Sequence, residues 1–391
     1  MISILITGGI LLNMLRKLTE KEKELLSKLV PLVTKKRLNL IKKLLKQKKI
    51  SIAKEKLNLT ISDSPEFPQI KTEQKEIDVA AVNNDIKDKI KKELFKKFSP
   101  HAFEKIPNYI APNITGMHPI KQAAALQLFS IQPIHLLLLG DPGTGKTDIL
   151  RSAADFSPIS SFGLGSGTSG AGLVVTIKGS EVIKGLLPQA DQGLCAIDEL
   201  NLMKKEDYAG MYNAMEKGFV TYDKAGKHHK FNARIKVLAT ANPKGDTFTG
   251  STIDELKKEL PFDSALLTRF HLAFMIRKPD LKRFREIASS ILEQKQTKAN
   301  SHDIEFIKDY LQHIQQIEKI NFSKANQSYV LSFVEELKKN EKQYLIEISP
   351  RLVIGIMRLC KALARMESRQ EVERNDIERV KKVIVSSLKI K

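Results

Sequence analysis

Short apolar runs and longer amphipathic segments alternate through the middle of the chain. Residues 134–139, 194–197 and 235–241 are predominantly apolar, which is typical of strands that are covered on both faces of a parallel sheet. Segments with helical periodicity separate these runs. The alternation predicts an α/β core over residues 85–278, in which the three runs are strands of a parallel sheet.

Helical periodicity continues to the end of the chain. Four apolar stripes recur at three- and four-residue spacing: Ile304, Ile307, Leu311 and Ile314; Val330, Phe333, Val334 and Leu337; Val353, Ile356, Met357, Cys360 and Leu363; and Ile377, Val380, Val383 and Ile384. Ser349 and Pro350 suit the N-cap and the first position of the third helix. Residues 279–391 are therefore predicted to form a helical domain.

The first 60 residues are basic and helical in pattern. Between residues 35 and 49, lysine and arginine alternate with leucine and isoleucine, which predicts an amphipathic helix with a cationic face. Residues 50–59 resemble a second, short helix. This N-terminal region fits either part of a DNA-binding helix-turn-helix module or a solvated helical surface. Residues 61–84 are polar, contain Pro65 and Pro68, and are predicted to be a linker.

The charge of the chain is far from balanced. A net charge of +20 and a pI near 9.6 indicate a polyanionic partner, of which nucleic acid is the common example. Solvated lysine-rich helices are the alternative explanation. The net charge alone does not distinguish a polyanionic partner from solvated lysine-rich helices.

The two cysteines and the hydropathy pattern exclude several classes of protein. Cys195 and Cys360 are too few for a disulfide framework or a four-thiolate zinc site. Each lies in an apolar segment, so we expect reduced, buried thiols in an intracellular protein. No run approaches the roughly 18 apolar residues of a membrane span. We expect a cytoplasmic, nucleoid-associated protein, or a nuclear one in a eukaryote, without a membrane partner.

A phosphate-binding pattern follows the first apolar run at once. Its eight residues are Gly140, Asp141, Pro142, Gly143, Thr144, Gly145, Lys146 and Thr147. The run, the glycine-rich loop and the helical segment that follows match the P-loop context, in which backbone N–H groups surround the β-phosphate. Lys146 is expected to reach the β- and γ-phosphates, and Thr147 to ligate Mg²⁺. The pattern predicts that ATP and Mg²⁺ bind here.

The other two apolar runs also end in polar residues. Asp198 and Glu199 follow the second run, in the Walker B pattern. Asp198 is expected to hold Mg²⁺, and Glu199 to polarise the attacking water. Asn242 ends the third run and is suited to holding that water against the γ-phosphate. In isolation, an acidic turn and an Asn before a proline are common structural features.

A β-hairpin with basic residues precedes the third run. Residues 219–222 and 230–234 are strand-like, and residues 223–229 between them include Lys224 and Lys227. His228 and His229 are adjacent in the sequence, and adjacent strand residues point to opposite faces, so we do not expect a metal site here.

Together these motifs resemble the MCM DNA helicases, a family of AAA+ ATPases. The resemblance extends over roughly residues 88–388. It includes the entry segment 110–129, the Walker B block 191–203, Ala214-Met215-Glu216, the arginine-finger motif Leu266-Leu267-Thr268-Arg269-Phe270, the sensor 2 motif Ile348-Ser349-Pro350-Arg351, and residues 358–365. Several collinear blocks make the resemblance far more specific than a P-loop alone.

The resemblance implies an AAA+ P-loop αβα sandwich with a C-terminal α-helical lid, preceded here by a small helical region. It implies an ATP-driven DNA helicase or translocase of DNA replication or related DNA processing. Its ATP sites lie between the subunits of a homo-hexamer or of a co-assembly with related MCM subunits. Arg269 and Arg351 would act on a neighbour's γ-phosphate, and Asn242 would be sensor 1. Lys224 and Lys227 would contact DNA phosphates without sequence preference.

The sequence also departs from the family pattern. Fewer than about 100 residues precede the motor in this sequence, so we do not expect the family's N-terminal oligonucleotide-binding and zinc modules in it. His271 replaces the acidic residue that usually follows the arginine-finger Arg-Phe. Two alternatives therefore stay open: a remodelling ATPase of the MoxR and magnesium-chelatase type that acts on protein partners, and a non-catalytic relative that binds DNA through its basic N-terminal helices.

Overall fold

The computed structural model describes residues 91–178, 181–224, 227–292 and 301–389. The chain forms two compact units, residues 1–95 and residues 96–391, and the strands and helices labelled below belong to the second unit. Residues 91–98 are helical. The predicted N-terminal helices over residues 14–60 and the predicted linker over residues 61–84 lie outside the described residues.

The strands of the described part are β1 (Leu136–Gly140), β2 (Ser160–Leu164), β3 (Val175–Lys178), β4 (Glu181–Lys184), β5 (Leu194–Asp198), β6 (Phe219–Lys224), β7 (Lys227–Asn232), β8 (Lys236–Ala241) and β9 (Leu272–Ile276). Five of them form one parallel sheet in the order β2-β5-β8-β1-β9. The predicted α/β class is therefore confirmed. The three runs that the sequence assigned to strands are its three central members, β5, β8 and β1.

The α-helices of the described part are α1 (Ala102–Lys105), α2 (His118–Phe129), α3 (Lys146–Phe156), α4 (Gly170–Leu173), α5 (Leu186–Gln189), α6 (Tyr208–Lys217), α7 (Ile253–Lys258), α8 (Ser264–Leu267), α9 (Leu281–Leu292), α10 (Ser301–Ile314), α11 (Lys324–Lys339), α12 (Pro350–Met366) and α13 (Arg374–Leu388). Single turns of 3₁₀ helix lie at Ser99–His101, Ile106–Tyr109, Gly165–Gly167, Leu200–Leu202, Lys205–Asp207 and Glu341–Gln343.

Burial explains why the central strands are almost continuously apolar. Every residue of β1 and β5 is buried, as is β8 after its first residue. Strands of this kind need cover on both faces, and the helices that connect parallel strands supply it. One connected group of buried residues runs from β1, β5 and β8 to α6 and to the segment that contains α7 and α8.

All five strands of the sheet point the same way, so the sheet has two chemically distinct edges. The carboxyl edge is where β1 ends at Gly140, β5 at Asp198 and β8 at Ala241. The amino edge is where β1, β8 and β9 begin. Along β9, Leu272 pairs with Leu136 and Ile276 pairs with Gly140. The register therefore places the start of β9 at the opposite end of the sheet from Gly140.

Two antiparallel hairpins lie outside this sheet: β3 with β4, and β6 with β7. The β6–β7 ladder is longer than the sequence suggested. It runs from Phe219↔Asn232 to Lys224↔Lys227, so residues 223–224 and 227–229 are strand rather than loop. The second strand also ends at Asn232, before the predicted Arg234, which instead pairs with Asp191 at 2.6 Å.

The C-terminal region is helical, as predicted, and its predicted stripes are buried or half-buried. The start of α12 differs from the prediction in one respect. Pro350 is its first residue as predicted, but the Ser349 side chain makes no capping hydrogen bond. α12 packs against α2 and α13, and its buried face includes Leu352, Ile356 and Leu359.

Both cysteines are buried free thiols, as predicted. Burial raises the pKa of the Cys195 thiol to about 11 and also raises that of Cys360, so neither is a reactive thiolate at neutral pH. Among the described residues, no helix is both long enough and apolar enough to cross a membrane.

Candidate nucleotide site and its neighbouring arginines

The glycine-rich loop leads directly from β1 into α3. Gly145 is the N-cap of α3 with φ of 82°, and Gly143 has φ of 74°; both values favour glycine. A Cβ at Gly145 would lie 2.8 Å from Cδ1 of Ile114. The loop therefore needs glycine there both for its backbone angle and for the close approach of the segment that covers it.

Lys146, the first residue of α3, is buried at 6% exposure. Its Nζ donates to the carbonyl oxygens of Gly140 at 2.8 Å and Asp141 at 2.7 Å. Burial lowers its pKa to about 8, and the negative charges of Asp141, Asp198 and Glu199 oppose that shift. A buried ammonium held by neutral carbonyls is suited to a strongly anionic ligand, and a phosphate is such a ligand.

The Asp141 side chain organises the loop rather than facing a ligand. Its Oδ1 accepts the N–H of Phe248 and its Oδ2 accepts the N–H of Lys278, both at 2.8 Å. Phe248 lies beyond β8, and Lys278 lies just after β9. One buried carboxylate thus fastens the phosphate loop to the segments that follow β8 and β9, the two strands that flank β1. The backbone of Asp141 remains its predicted contribution to the site.

The two Walker B acids are linked by a hydroxyl that the sequence did not single out. Thr240 is 1% exposed; its Oγ1 donates to Oδ1 of Asp198 at 2.5 Å and accepts the N–H of Glu199 at 2.9 Å. Thr147 Oγ1 donates to the same Asp198 oxygen at 3.2 Å. Glu199 has φ of 51°, in the left-handed region. Thr240 therefore positions a carboxylate and the strained backbone beside it.

Asn242 lies just past the end of β8, beside these acids. Its N–H donates to Oδ1 of Asn201 at 3.0 Å, which connects it to the turn that follows Glu199. The structure brings Lys146, Thr147, Asp198, Glu199 and Asn242 to one edge of the sheet. Hydroxyl and carboxylate oxygens are the ligands that Mg²⁺ prefers, so the donor set of Thr147 and Asp198 fits that ion.

A second buried lysine supports the segment that covers the phosphate loop. Lys121, on α2, donates to the carbonyl oxygens of Ala111 at 2.8 Å and Ile114 at 2.7 Å. Burial lowers its pKa to about 8. It thereby holds Ile114 against Gly145. The sequence marks the entry segment only by resemblance, because these contacts depend on the tertiary structure.

The two predicted trans-acting arginines lie together, but away from the phosphate loop. Arg269 precedes β9 at the amino edge, and Arg351 is on the first turn of α12. Each forms an ion pair through NH2 with the same Oε1 of Glu216, at 3.2 Å, and Arg351 also donates a hydrogen bond to that oxygen. The Arg269 guanidinium also lies 4.1 Å from the ring centroid of Tyr212 and contacts the carbonyl of Ala265.

A buried histidine pair anchors the amino edge beside Arg269. The His135 N–H donates to Nδ1 of His271 at 3.0 Å, and the His271 N–H donates to the His135 carbonyl at 2.9 Å. His135 Nδ1 accepts the N–H of Val237, which leaves Nε2 to donate to the carbonyl of Met215. Burial strongly lowers the pKa of both rings, so both are neutral. They join the starts of β1, β8 and β9 to the end of α6.

His271 also sets how closely the helical domain approaches the core. A Cβ at Gly355 of α12 would lie 3.1 Å from Cβ of His271. Arg358, one turn further on, lies 3.2 Å from Nε2 of His271 and contacts Gln132 and the Pro133 carbonyl. These contacts fix α12 where Arg351, one turn before Gly355, reaches Glu216.

The predicted DNA-contacting lysines occupy one register position of the β6–β7 hairpin. Lys224 and Lys227 are directly opposite each other at the end of the ladder. The next pair on the same face is Tyr222↔His229, since successive pairs alternate between faces. The predicted phosphate contacts of the two lysine side chains lie outside what the structure describes.

Two family models match this chain. The MCM P-loop domain matches residues 89–295, which is more than half of the chain, and the MCM AAA-lid domain matches residues 305–388. The chain belongs to the MCM family. Its five-stranded parallel sheet with a helical lid is accordingly an AAA+ fold, as the resemblance implied.

Several curated MCM proteins are similar to this chain. The minichromosome maintenance protein MCM of Saccharolobus solfataricus is 31% identical over 332 residues, which are 79% of this chain and 48% of the relative. The probable DNA helicase MCM9 of Oryza sativa subsp. indica is 29% identical over 292 residues, 68% of this chain and 43% of the relative. The DNA replication licensing factor MCM4 of Arabidopsis thaliana is 30% identical over 310 residues, which are 71% of this chain and 36% of the relative. The MCM chain described here spans about half or less of each relative.

Proposed function

We propose that this MCM chain is an ATP-hydrolysing motor that moves along or unwinds DNA in replication or related DNA processing. Relatives that are similar to this chain carry the names of a probable DNA helicase and a DNA replication licensing factor. The buried lysine, the linked acids and the two arginines support ATP hydrolysis as its chemistry. The net charge of +20 supports a polyanionic partner.

One observation carries the proposal that ATP sites form between subunits. Arg269 lies three residues before β9 begins at Leu272, and Leu272 pairs with Leu136 rather than with Gly140. At about 3.3 Å per residue, the five-residue strands separate the two edges of the sheet by roughly 15 Å. An arginine side chain does not span that distance, which supports a role for Arg269 at another copy's phosphate loop rather than at its own.

The chemistry follows from the groups on each edge. Lys146 binds the β- and γ-phosphates, with the backbone N–H groups of residues 140–147 around them. Thr147 and Asp198 would hold Mg²⁺, which neutralises phosphate charge when bound. Glu199 accepts a proton from the attacking water, and Asn242 orients that water. Arg269 and Arg351 of a neighbouring copy place positive charge where the transition state spreads negative charge.

We further propose that these copies form a homo-hexamer or co-assemble with related MCM subunits, with the β6–β7 hairpins on the DNA. Lys224 and Lys227 at the end of the ladder would contact backbone phosphates. Such contacts carry no sequence information, and their strength falls with salt because counterions are released on binding.

Subunit mixing tests the intersubunit site. Lys146→Ala and Arg269→Ala proteins are each expected to be inactive as ATPases, because one lacks the phosphate ligand and the other lacks the finger. Mixed in equal amounts, they should regain turnover at roughly a quarter of the interfaces, those that pair an intact P-loop with an intact arginine. No recovery under conditions where wild-type subunits exchange would contradict a shared site.

ATP turnover with and without single-stranded DNA tests the partner. Wild type should be stimulated at low salt, and Lys224→Ala should lose most of the stimulation while it keeps the basal rate. Lys342→Ala removes an exposed lysine from the helical domain and is the matched control. Unchanged DNA binding and stimulation in Lys224→Ala would reject the hairpin assignment. No stimulation of wild type at low salt would favour a remodelling ATPase that acts on protein.

A further inference from the structure

The amino edge contains an acidic residue to which the proposed function assigns no role. Glu216 lies in the last turn of α6 with its side chain 36% exposed. Its Oε1 forms ion pairs with Arg269 and with Arg351, at 3.2 Å in each case, and accepts a hydrogen bond from Arg351. The three residues come from three separate parts of the chain: α6, the segment before β9, and α12.

We infer that Glu216 is the positioning residue for the two trans-acting arginines. Two guanidinium groups repel each other, and a carboxylate between them allows both to occupy one small patch of surface. The ring centroid of Tyr212, one turn earlier on the same face of α6, lies 4.1 Å from the Arg269 guanidinium, which gives a second favourable contact. Two side chains of α6, Tyr212 and Glu216, therefore position both guanidinium groups for contact with a neighbouring subunit's γ-phosphate.

The ion pairs of Glu216 with the two arginines are better explained by a role in positioning them than by a contribution to the stability of the fold. The side chains of Arg269 and Arg351 are 18% and 31% exposed, and partly exposed ion pairs add little to stability. Within the described part of the chain, Nε of Arg269 is buried without a hydrogen-bond partner. A purely structural arginine normally satisfies its buried donors. Nε of Arg269 departs from this rule, as does Nε of Arg277.

The place of α6 in the chain explains why this residue suits the role. The helix follows the turn after Glu199, and β6 begins at Phe219, three residues beyond Glu216. Nε2 of His135 donates to the carbonyl of Met215, so a displacement of the end of α6 would break this buried hydrogen bond. The end of α6 is thus fixed to the start of β1, and Glu216 presents its carboxylate from a rigid base.

This inference rests on the proposed intersubunit site, and kinetics can separate the two. Glu216→Gln removes the charge and keeps the shape, so kcat should fall about 10-fold or more through misplaced arginines, while KM for ATP stays within about twofold. Glu206→Gln, on an exposed 3₁₀ turn, is the matched control and should behave as wild type. Wild-type kcat in Glu216→Gln would overturn the inference.

Subunit mixing then locates the defect. Glu216→Gln subunits should regain turnover with Lys146→Ala subunits, which supply intact arginines, and should gain none with Arg269→Ala subunits, which lack the same surface. Recovery with Arg269→Ala instead would place Glu216 at its own subunit's phosphate loop and reject the inference. If Arg269→Ala and Lys146→Ala fail to complement each other, the proposed intersubunit site fails, independently of Glu216.

A double-mutant cycle covers the case in which Glu216→Gln lowers stability. In a background that already carries Arg269→Ala and Arg351→Ala, removing the Glu216 charge should not lower the residual turnover further, because the groups that it positions are absent. A further drop of similar size to that in the wild-type background would show that Glu216 acts through other residues, and the inference would be wrong.

Discussion

The carboxyl and amino edges of the sheet treat their charged groups in opposite ways. At the carboxyl edge, Lys146 and Asp198 are 6% and 5% exposed and are held by hydrogen bonds within the subunit. At the amino edge, Arg269 and Arg351 are partly exposed and share one carboxylate oxygen. The difference supports the proposal that one edge binds nucleotide within the subunit and that the other acts on a neighbouring copy.

The largest expected effects separate the two edges by nucleotide affinity. Lys146→Ala should abolish tight nucleotide binding, because it removes the only buried cation that the structure places in the described loop. Arg269→Ala should keep its affinity within about twofold and lower turnover about 10³-fold, the effect of removing an arginine finger. Titration with a fluorescent ATP analogue and steady-state turnover measure both. An equal loss of nucleotide affinity in the two variants would show that the two edges do not differ in their roles as proposed.

Thr240→Val tests whether the carboxyl edge depends on preorganisation. The substitution keeps the side-chain shape and removes the hydroxyl that holds Asp198 and the Glu199 backbone, so turnover should fall about 10- to 100-fold. Thr176→Val, on β3, repeats the chemical change away from the site and should leave the basal rate unaltered. A Thr240→Val enzyme with wild-type kcat would mean that the two acids keep their positions without it.

The stability of the amino edge should decline in acid. His135 and His271 have lowered pKa values in the folded protein, so below their ordinary pKa near 6.5 only the unfolded chain takes up those protons. Each should then contribute a loss of about 1.4 kcal/mol of unfolding free energy per pH unit as pH falls from 6.5. Above that pH their contribution is constant.

Denaturant unfolding between pH 7 and pH 5 measures this slope. His271→Asn should remove about one histidine's share of it, whereas His101→Asn, at an exposed position, should leave it unaltered. An identical slope in wild type and His271→Asn would show that the buried pair does not respond to pH as proposed.

The smallest expected effects concern how a helix starts at each edge. Thr252, beyond the carboxyl edge, caps α7 in a complete capping box with Glu255, so Thr252→Ala should cost about 1 kcal/mol of unfolding free energy. Ser349 makes no side-chain cap on the arginine-bearing α12, so Ser349→Ala should cost less than about 0.5 kcal/mol. Chemical denaturation compares them, and a larger loss for Ser349→Ala would contradict the structure.

Local sequence patterns predicted the carboxyl edge well. Apolar runs that end in glycine or acid are contiguous signals, and they correctly placed strands leading to Lys146, Asp198 and Asn242. Thr240 lies inside one of those runs, where an apolar pattern gives no hint that its hydroxyl faces two acids 41 and 42 residues away.

The amino edge depends on contacts between distant segments, so the sequence predicted less of it. Glu216 and Arg351 are 135 residues apart, and His135 and His271 are 136 residues apart. No periodicity links such pairs. Ser349 shows the converse limit: its position before Pro350 matched a helix start, but the backbone there leaves its hydroxyl without the expected bond. The resemblance supplied the two arginines, and the fold brought them to one carboxylate.

The opposition of the two edges also restricts the symmetry of any assembly. If the carboxyl edge of one copy meets the amino edge of the next, the contact joins unlike surfaces, and a two-fold dimer through either edge would complete no site. Such head-to-tail contacts either close upon themselves or continue as a helical filament. A closed set of copies has as many complete sites as subunits, whereas an open series always has one fewer.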